Sequence, residues 1–122
     1  MKKSFFILFL LVVFFVSCKQ DSPNDWITTK DGWKLPVFFY HGNKEKPSII
    51  YLHGLGANHN NFNGYRGFSF AEEFSKVGYG GYSIDFRGHG QSYSIDDNKK
   101  VSTDDMIYYD IPALLNYVKK RV

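Results

Sequence analysis

Three observations predict an α/β fold built around a parallel sheet. Ile49-Ile50-Tyr51-Leu52 is an unbroken apolar run after the Pro47-Ser48 break, and it stops at the glycine-punctuated turn His53-Gly54-Leu55-Gly56. Residues 79–86 repeat the pattern and end in Arg87-Gly88-His89-Gly90-Gln91-Ser92. Between the two runs Phe70, Phe74 and Val77 recur at helical spacing. Short apolar runs without alternation fit strands buried on both faces, and parallel neighbours require a crossover such as a helix. Ligands of open parallel sheets bind beyond the carboxyl ends of the strands. Residues 53–61 and 87–92 are therefore the first places to look for chemistry.

The amino terminus reads as a targeting segment. Lys2 and Lys3 precede twelve consecutive apolar residues, Phe5 to Val16, and then Ser17 and Cys18. Twelve residues fall inside the range of a signal-peptide core and short of the roughly 20 needed to cross a bilayer. Ser17-Cys18 resembles a bacterial lipobox, in which the cysteine becomes the lipidated first residue, although Phe15 stands where that pattern prefers Leu. The other reading is an uncleaved anchor with a free Cys18. Either places the protein in the cell envelope, exported and membrane-held. Residues 1–17 are thus assigned as the signal, 18–25 as a polar tether, and 26–122 as one folded domain.

Composition narrows the function. Without Lys2 and Lys3, thirteen basic face twelve acidic side chains, which gives no electrostatic case for binding nucleic acid. The single cysteine excludes an internal disulfide and a multi-cysteine metal site. His41, His53, His59 and His89 are scattered without metal-ligand spacing. No metal or cofactor is expected.

Along the domain, residues 26–29 and 34–40 are β-branched or aromatic runs around Lys30-Asp31-Gly32-Trp33, and Asp-Gly signals an antiparallel hairpin. Pro36 cannot donate to a ladder, so the second strand is expected at an edge or starting after the proline. Glu72 and Glu73 early, Lys76 late and Gly78 as a stop frame the crossover helix. Gly78, Gly80 and Gly81 precede their strand, whereas a dinucleotide fingerprint follows one. A last helix runs from Ser102 or Thr103 to Arg121, with Ile107, Ile111, Leu114, Leu115 and Val118 as its apolar stripe. Pro112 either kinks it or delays the regular helix until Asp110 caps it.

LHGLG at 52–56 and DFRGHGQS at 85–92 together resemble the amino-terminal half of an α/β-hydrolase, nearest the lysophospholipase, monoacylglycerol lipase and serine aminopeptidase-like branch. The resemblance covers about residues 26–121. It implies a partial α/β-hydrolase fold, in which an antiparallel hairpin leads into a parallel sheet with crossover helices. It also implies a serine hydrolase of acyl esters that needs no cofactor. The backbone N–H of Leu55 would be one oxyanion donor, while His53, Gly54, Gly56, Asp85, Arg87, Gly88, His89 and Gly90 would shape the two loops. The nucleophile of a GxSxG elbow, the acid and the histidine follow later in this fold's order, past Val122. The chain is therefore expected to be inactive alone, taking a small acyl substrate only when a carboxyl-terminal half completes it. The rival reading is a non-catalytic lipoprotein that binds a partner, which could be that half.

No substitute nucleophile stands out. Gly81-Tyr82-Ser83-Ile84-Asp85 lies inside a strand, with no turn to expose Ser83. Ser92 and Ser94 have His89 nearby in sequence but no orienting carboxylate beside it.

Overall fold

The computed structural model describes residues 21–63, 67–96 and 98–122; the signal over 1–17, Cys18 and the next two tether residues lie outside the described residues. Strands β1 (Asp25–Thr28), β2 (Trp33–Tyr40), β3 (Ile49–Tyr51) and β4 (Gly81–Ile84) form a sheet in the order β1-β2-β4-β3, and the short β5 (Tyr93–Ser94) pairs with the start of β2. β1 and β2 are an antiparallel hairpin whose turn places Gly32 at φ +95°, a conformation that glycine adopts without steric cost. β2 also pairs antiparallel with β4, and β4 pairs parallel with β3. Helix α1 (Phe70–Lys76) makes the crossover between the parallel strands.

The tether is docked before the domain's expected start. Asn24 N donates to the Val37 carbonyl at 2.8 Å, and Phe39 N donates to Asn24 Oδ1 at 2.7 Å, extending the ladder upstream of β1.

Two strand expectations are corrected. Pro36 lies inside β2, which has neighbours on both sides. Trp33, Val37 and Phe39 all bond toward the β1 side, so the even-numbered residues of β2 point their backbone groups the other way. On that other side β5 pairs through Lys34 and β4 begins at Val37, so the proline occupies the gap where β2 changes partner. β3, expected to be buried on both faces, has β4 as its only strand neighbour among the described residues; Ile49 and Ile50 are half-buried and Leu52 is exposed.

Helix α1 starts where Ser69 Oγ accepts from Glu72 N at 3.0 Å. Its predicted stripe faces outward: Phe70, Phe74 and Val77 are 52%, 42% and 58% exposed, while Ala71 is buried. The Ser69 hydroxyl and Ala71 N both donate to the Phe62 carbonyl, pinning the first turn to the preceding loop. The helix meets the rest of the domain at its smallest side chain.

The last helix resolves the Pro112 question in a third way. α2 (Thr103–Asp105) and α3 (Ile111–Lys119) are joined by a π-helical turn, Met106–Asp110, whose first and last residues both have helical φ/ψ. Ser102 Oγ accepts from Asp105 N at 3.1 Å, and Ile111 N bonds back to the Met106 carbonyl. The widened turn accommodates a residue that lacks an N–H and whose ring would crowd the carbonyl four residues back. Asp110 makes no side-chain cap. The buried positions are Met106, Asp110, Leu114 and Val118, so Ile107 and Leu115 of the predicted stripe are left exposed.

The core lies between this helix and one face of the sheet. Leu35, Val37, Ile84 and Leu114 are fully buried, with Ile27, Trp33, Tyr82, Phe86, Met106 and Val118 around them. Full burial of one such aliphatic side chain stabilises by about 1.5–3 kcal/mol before chain entropy is counted.

Candidate active site

Parallel β3 and β4 deliver both glycine loops to the same end of the sheet, where two histidines clasp them reciprocally. Phe86 N, just past β4, donates to His53 Nε2 at 3.0 Å. Gly56 N, in the loop after β3, donates to His89 Nε2 at 3.1 Å. Each Nε2 is therefore an acceptor, which assigns the proton to Nδ1 in both rings. His53 Nδ1 then donates to the Gly54 carbonyl at 2.8 Å and His89 Nδ1 to the Arg87 carbonyl at 2.9 Å. The ring centroids are 5.2 Å apart. Burial pushes the His53 pKa down, opposed by its bond to Gly54 and the Asp85 charge. With both nitrogens engaged by backbone, His53 has no lone pair free to act as a base.

The clasp leaves one donor unused. Gly54 O accepts from Ala57 N as well as from His53, and Gly56 N is held by His89. Between them, the Leu55 N–H has no acceptor among the described residues. Gly56, at φ +72°, reverses the chain just after it. Beside this turn is a cavity of about 220 Å³ lined by His53, Gly54, Leu55, Phe86, His89, Thr103, Met106, Ile107 and Ile111, almost all of it apolar.

Asp85 organises the second loop from beneath. Its carboxylate accepts from His59 N (2.7 Å), His59 Nδ1 (2.8 Å) and Gln91 N (2.8 Å). Burial raises its pKa, but the His59 and Gln91 bonds outweigh that and hold it below the ordinary range. Gly90, at φ +50°, passes so close that a Cβ would land on the Asp85 carboxylate. Gly88, at φ +70°, lies against Val101.

Arg87 ties this loop to the rest of the domain. Its backbone N and its Nε donate to Asp110, each at 2.9 Å, and one guanidinium nitrogen reaches Asp110 at 2.8 Å. That same nitrogen also donates to Asp31 Oδ1, in the hairpin turn, at 2.9 Å, and the other terminal nitrogen donates to Asp31 Oδ2 at 2.8 Å. Trp33 and Tyr109 flank it at 5.6 and 5.3 Å. These two-carboxylate, charge-assisted contacts hold Arg87 protonated despite its 1% exposure. Asp31 is held below the ordinary carboxylate range, where burial is outweighed by bonds from Arg87 and Thr29.

The candidate serines are all occupied structurally. Ser83 is fully buried in β4, 3.2 Å from the Tyr40 hydroxyl. Ser92 Oγ lies 2.7 Å from the carbonyls of Phe86 and of His89, and it accepts from His89 N rather than from the imidazole. Ser94 Oγ accepts from Asp96 N. Among the described residues no group of three or more His, Cys, Asp or Glu side chains could hold a metal ion.

Sequence reasoning did not single out His59, Asp31 or Asp110 as loop-positioning residues. Asp110 carried a signal: an acid four residues before Leu114 on the apolar stripe needs a buried cation, and Arg87 stands in a glycine-rich loop.

Comparison with known proteins agrees with this geometry. A search of curated proteins gives no match. Among solved structures the chain is similar to an esterase from Exiguobacterium antarcticum, with 24% identity and a TM-score of 0.59 over 77% of this chain and 31% of that one. The chain thus spans about a third of that esterase's length. The family model for the alpha/beta hydrolase fold matches residues 47–122, which include β3, β4, both glycine loops and the last helix. On that match, and on the sheet and loops that carry it, the chain belongs to the alpha/beta hydrolase family.

Proposed function

We propose that the chain is the amino-terminal portion of an exported, membrane-anchored serine hydrolase acting on acyl esters, of the carboxylesterase or lysophospholipase kind. The observation that carries this reading is the Leu55 N–H, held free at the edge of an apolar cavity by backbone bonds to His53 and His89. A rigid, unpaired donor in the loop after β3 is what a tetrahedral oxyanion needs, and preorganised donors of this kind lower the barrier by about 3–4 kcal/mol. The first loop supplies that donor, and the second, braced by Asp85 and Arg87, keeps it in place. The nucleophile, its histidine and its acid come after this helix in the fold's order. Residues 1–122 by themselves are therefore inactive. The esterase neighbour supports the substrate class, and Ser17-Cys18 after the apolar segment supports the anchor.

A second reading follows from β3, which has a strand neighbour on one side only among the described residues. Its open edge suits a non-catalytic lipoprotein that adds a partner's strand. Labelling with a serine-directed fluorophosphonate separates the readings. The 122-residue chain should remain unlabelled. Joining it to a carboxyl-terminal half that supplies a strand ending in GxSxG should produce labelling and ester hydrolysis. Robust hydrolysis by residues 1–122 alone would overturn the first reading. Stable capture of a partner with no labelling of either protein would favour the second.

A further inference from the structure

We propose that the end of the sheet bearing the two glycine loops is apposed to the bilayer that holds Cys18, with Leu55 and Phe68 seated in its interface. The proposal rests on the reading of Cys18 as the lipidated residue.

Chain length supplies the first constraint. Three residues lead from Cys18 to Asp21, a span of at most about 11 Å when fully extended. Asp21 is fixed to the domain: its carbonyl accepts from Gln91 Nε2 at 2.6 Å, and its carboxylate pairs with the Asn63 side-chain amide. Gln91 belongs to the loop after β4 and Asn63 to the loop after β3. Because these strands are parallel, both loops leave the same end of the sheet. An acyl group on Cys18 therefore enters the membrane within about 11 Å of that end.

The surface there suits the contact. Leu55 is 74% exposed and Phe68 56% exposed, and Phe68 stands edge-on to the half-exposed Phe70 at 5.0 Å. The opposite end of β3 begins at the exposed, charged turn containing Lys44, Glu45 and Lys46. Apolar and aromatic side chains gain by entering the headgroup boundary, and they supplement a lipid anchor in holding a protein flat. Leu55 also lines the apolar cavity, so this orientation turns its mouth toward lipid. The substrates presented to it would be acyl lipids of that same membrane.

Depth-dependent quenching tests the orientation and needs no turnover. The full chain is expressed and purified as the acylated form, confirmed by mass, and placed in phosphatidylcholine vesicles carrying brominated lipid. With Cys18 blocked by its thioether, one new cysteine takes a fluorescent label: Phe68→Cys or Leu55→Cys at the proposed contact, Lys44→Cys at the far end. All three side chains are exposed, so none of these changes disturbs the core. Labels at 68 and 55 should lose about half or more of their emission, while the label at 44 should be unaffected. Absence of acylation at Cys18 would remove the anchor reading and the orientation together. Acylated protein whose labels at 68 and 55 are unquenched, or quenched no more than at 44, would overturn the orientation alone.

Discussion

The two faces of the sheet are built from the same strands by opposite chemistry. On the face under the last helix, Leu35, Val37 and Ile84 meet Leu114 and Val118 at the centre of an apolar core that Trp33, Tyr82 and Phe86 surround. The other face is aromatic and polar. Phe38 stacks on His59 at 3.7 Å, Tyr40 meets Tyr51 at 5.4 Å, and Tyr40 shares a hydrogen bond with Ser83. Two buried polar atoms there, Tyr51 Oη and His59 Nε2, have no partner among the described residues. The aliphatic face supplies stability and fixes the helix that carries Asp110. The aromatic face supplies position, placing His59 under Asp85 and so setting the second loop. Stability and site geometry are therefore only partly separable by mutation, because the Arg87–Asp110 pair couples the second loop to the helix over the core.

The largest effect should come from the buried ion pair that ties the second loop to the helix over the core. Arg87→Met removes the partner of a fully buried Asp110 and should cost about 3–5 kcal/mol, read as a lowered urea midpoint or outright failure to fold. Asp31→Asn keeps Asp110 paired and should cost less, because Asp31 is partly exposed. Equal losses would mean that the hairpin contact, and not the Asp110 pair, anchors the loop.

Within the aliphatic face, Leu114→Ala should cost about 2–5 kcal/mol in the same titration, the usual range for a cavity under a fully buried leucine. A loss below about 1 kcal/mol would show that the helix is not sealed onto the sheet.

The clasp should appear as a pH dependence. Folding lowers the His53 pKa, so the unfolded chain takes up the proton first. Stability should be fully present above the unfolded value near 6.5, fall as pH drops below it, and stop falling once folded His53 also protonates. The slope is at most about 1.4 kcal/mol per pH unit for one proton. A separate loss should begin below about 3.8, where Asp85 and Asp31, held low in the folded state, meet their unfolded values. His53→Gln should abolish the upper window and leave the lower one. Urea midpoints between pH 3 and 8 read both, and an unchanged upper window in the variant would exclude His53 as its source.

The smallest change belongs to the aromatic face. Tyr51→Phe deletes a buried hydroxyl that has no partner and should be neutral or slightly stabilising, within about 1 kcal/mol. A clear loss would reveal a partner for that hydroxyl, such as a buried water.

Much of the scaffold was readable from the chain because its signals are local. Asp31-Gly32 marks the hairpin turn, Ser102 precedes the last helix and caps it, and the two apolar runs became the parallel pair. What escaped depends on distant partners. Pro36 is tolerated because β5 and β4 divide one side of β2 between them, which no local rule contains. Phe70 and Phe74 have helical spacing, but the bonds to Phe62 decide which side of α1 faces inward. In the candidate site, His53-Gly54 and Arg87-Gly88-His89-Gly90 drew attention through their glycines. Asp31 and His59 became meaningful only once folding placed each beside a charge far away in sequence, and Asp110, marked as an acid on the apolar stripe, gained its partner the same way.

The wide turn at Met106–Asp110 carries a consequence for how this segment tolerates length changes. Its surplus residue advances the inward face by one position, bringing a carboxylate opposite Arg87 and turning Ile107 outward. Deleting Tyr108 would tighten the coil to ordinary pitch and force either the upstream or the downstream half to rotate by about 100°. One half of the helix would then present the wrong side chains to the sheet. Single-residue deletions here should be far more damaging than point substitutions at exposed Tyr108 itself, an asymmetry that a deletion scan would expose.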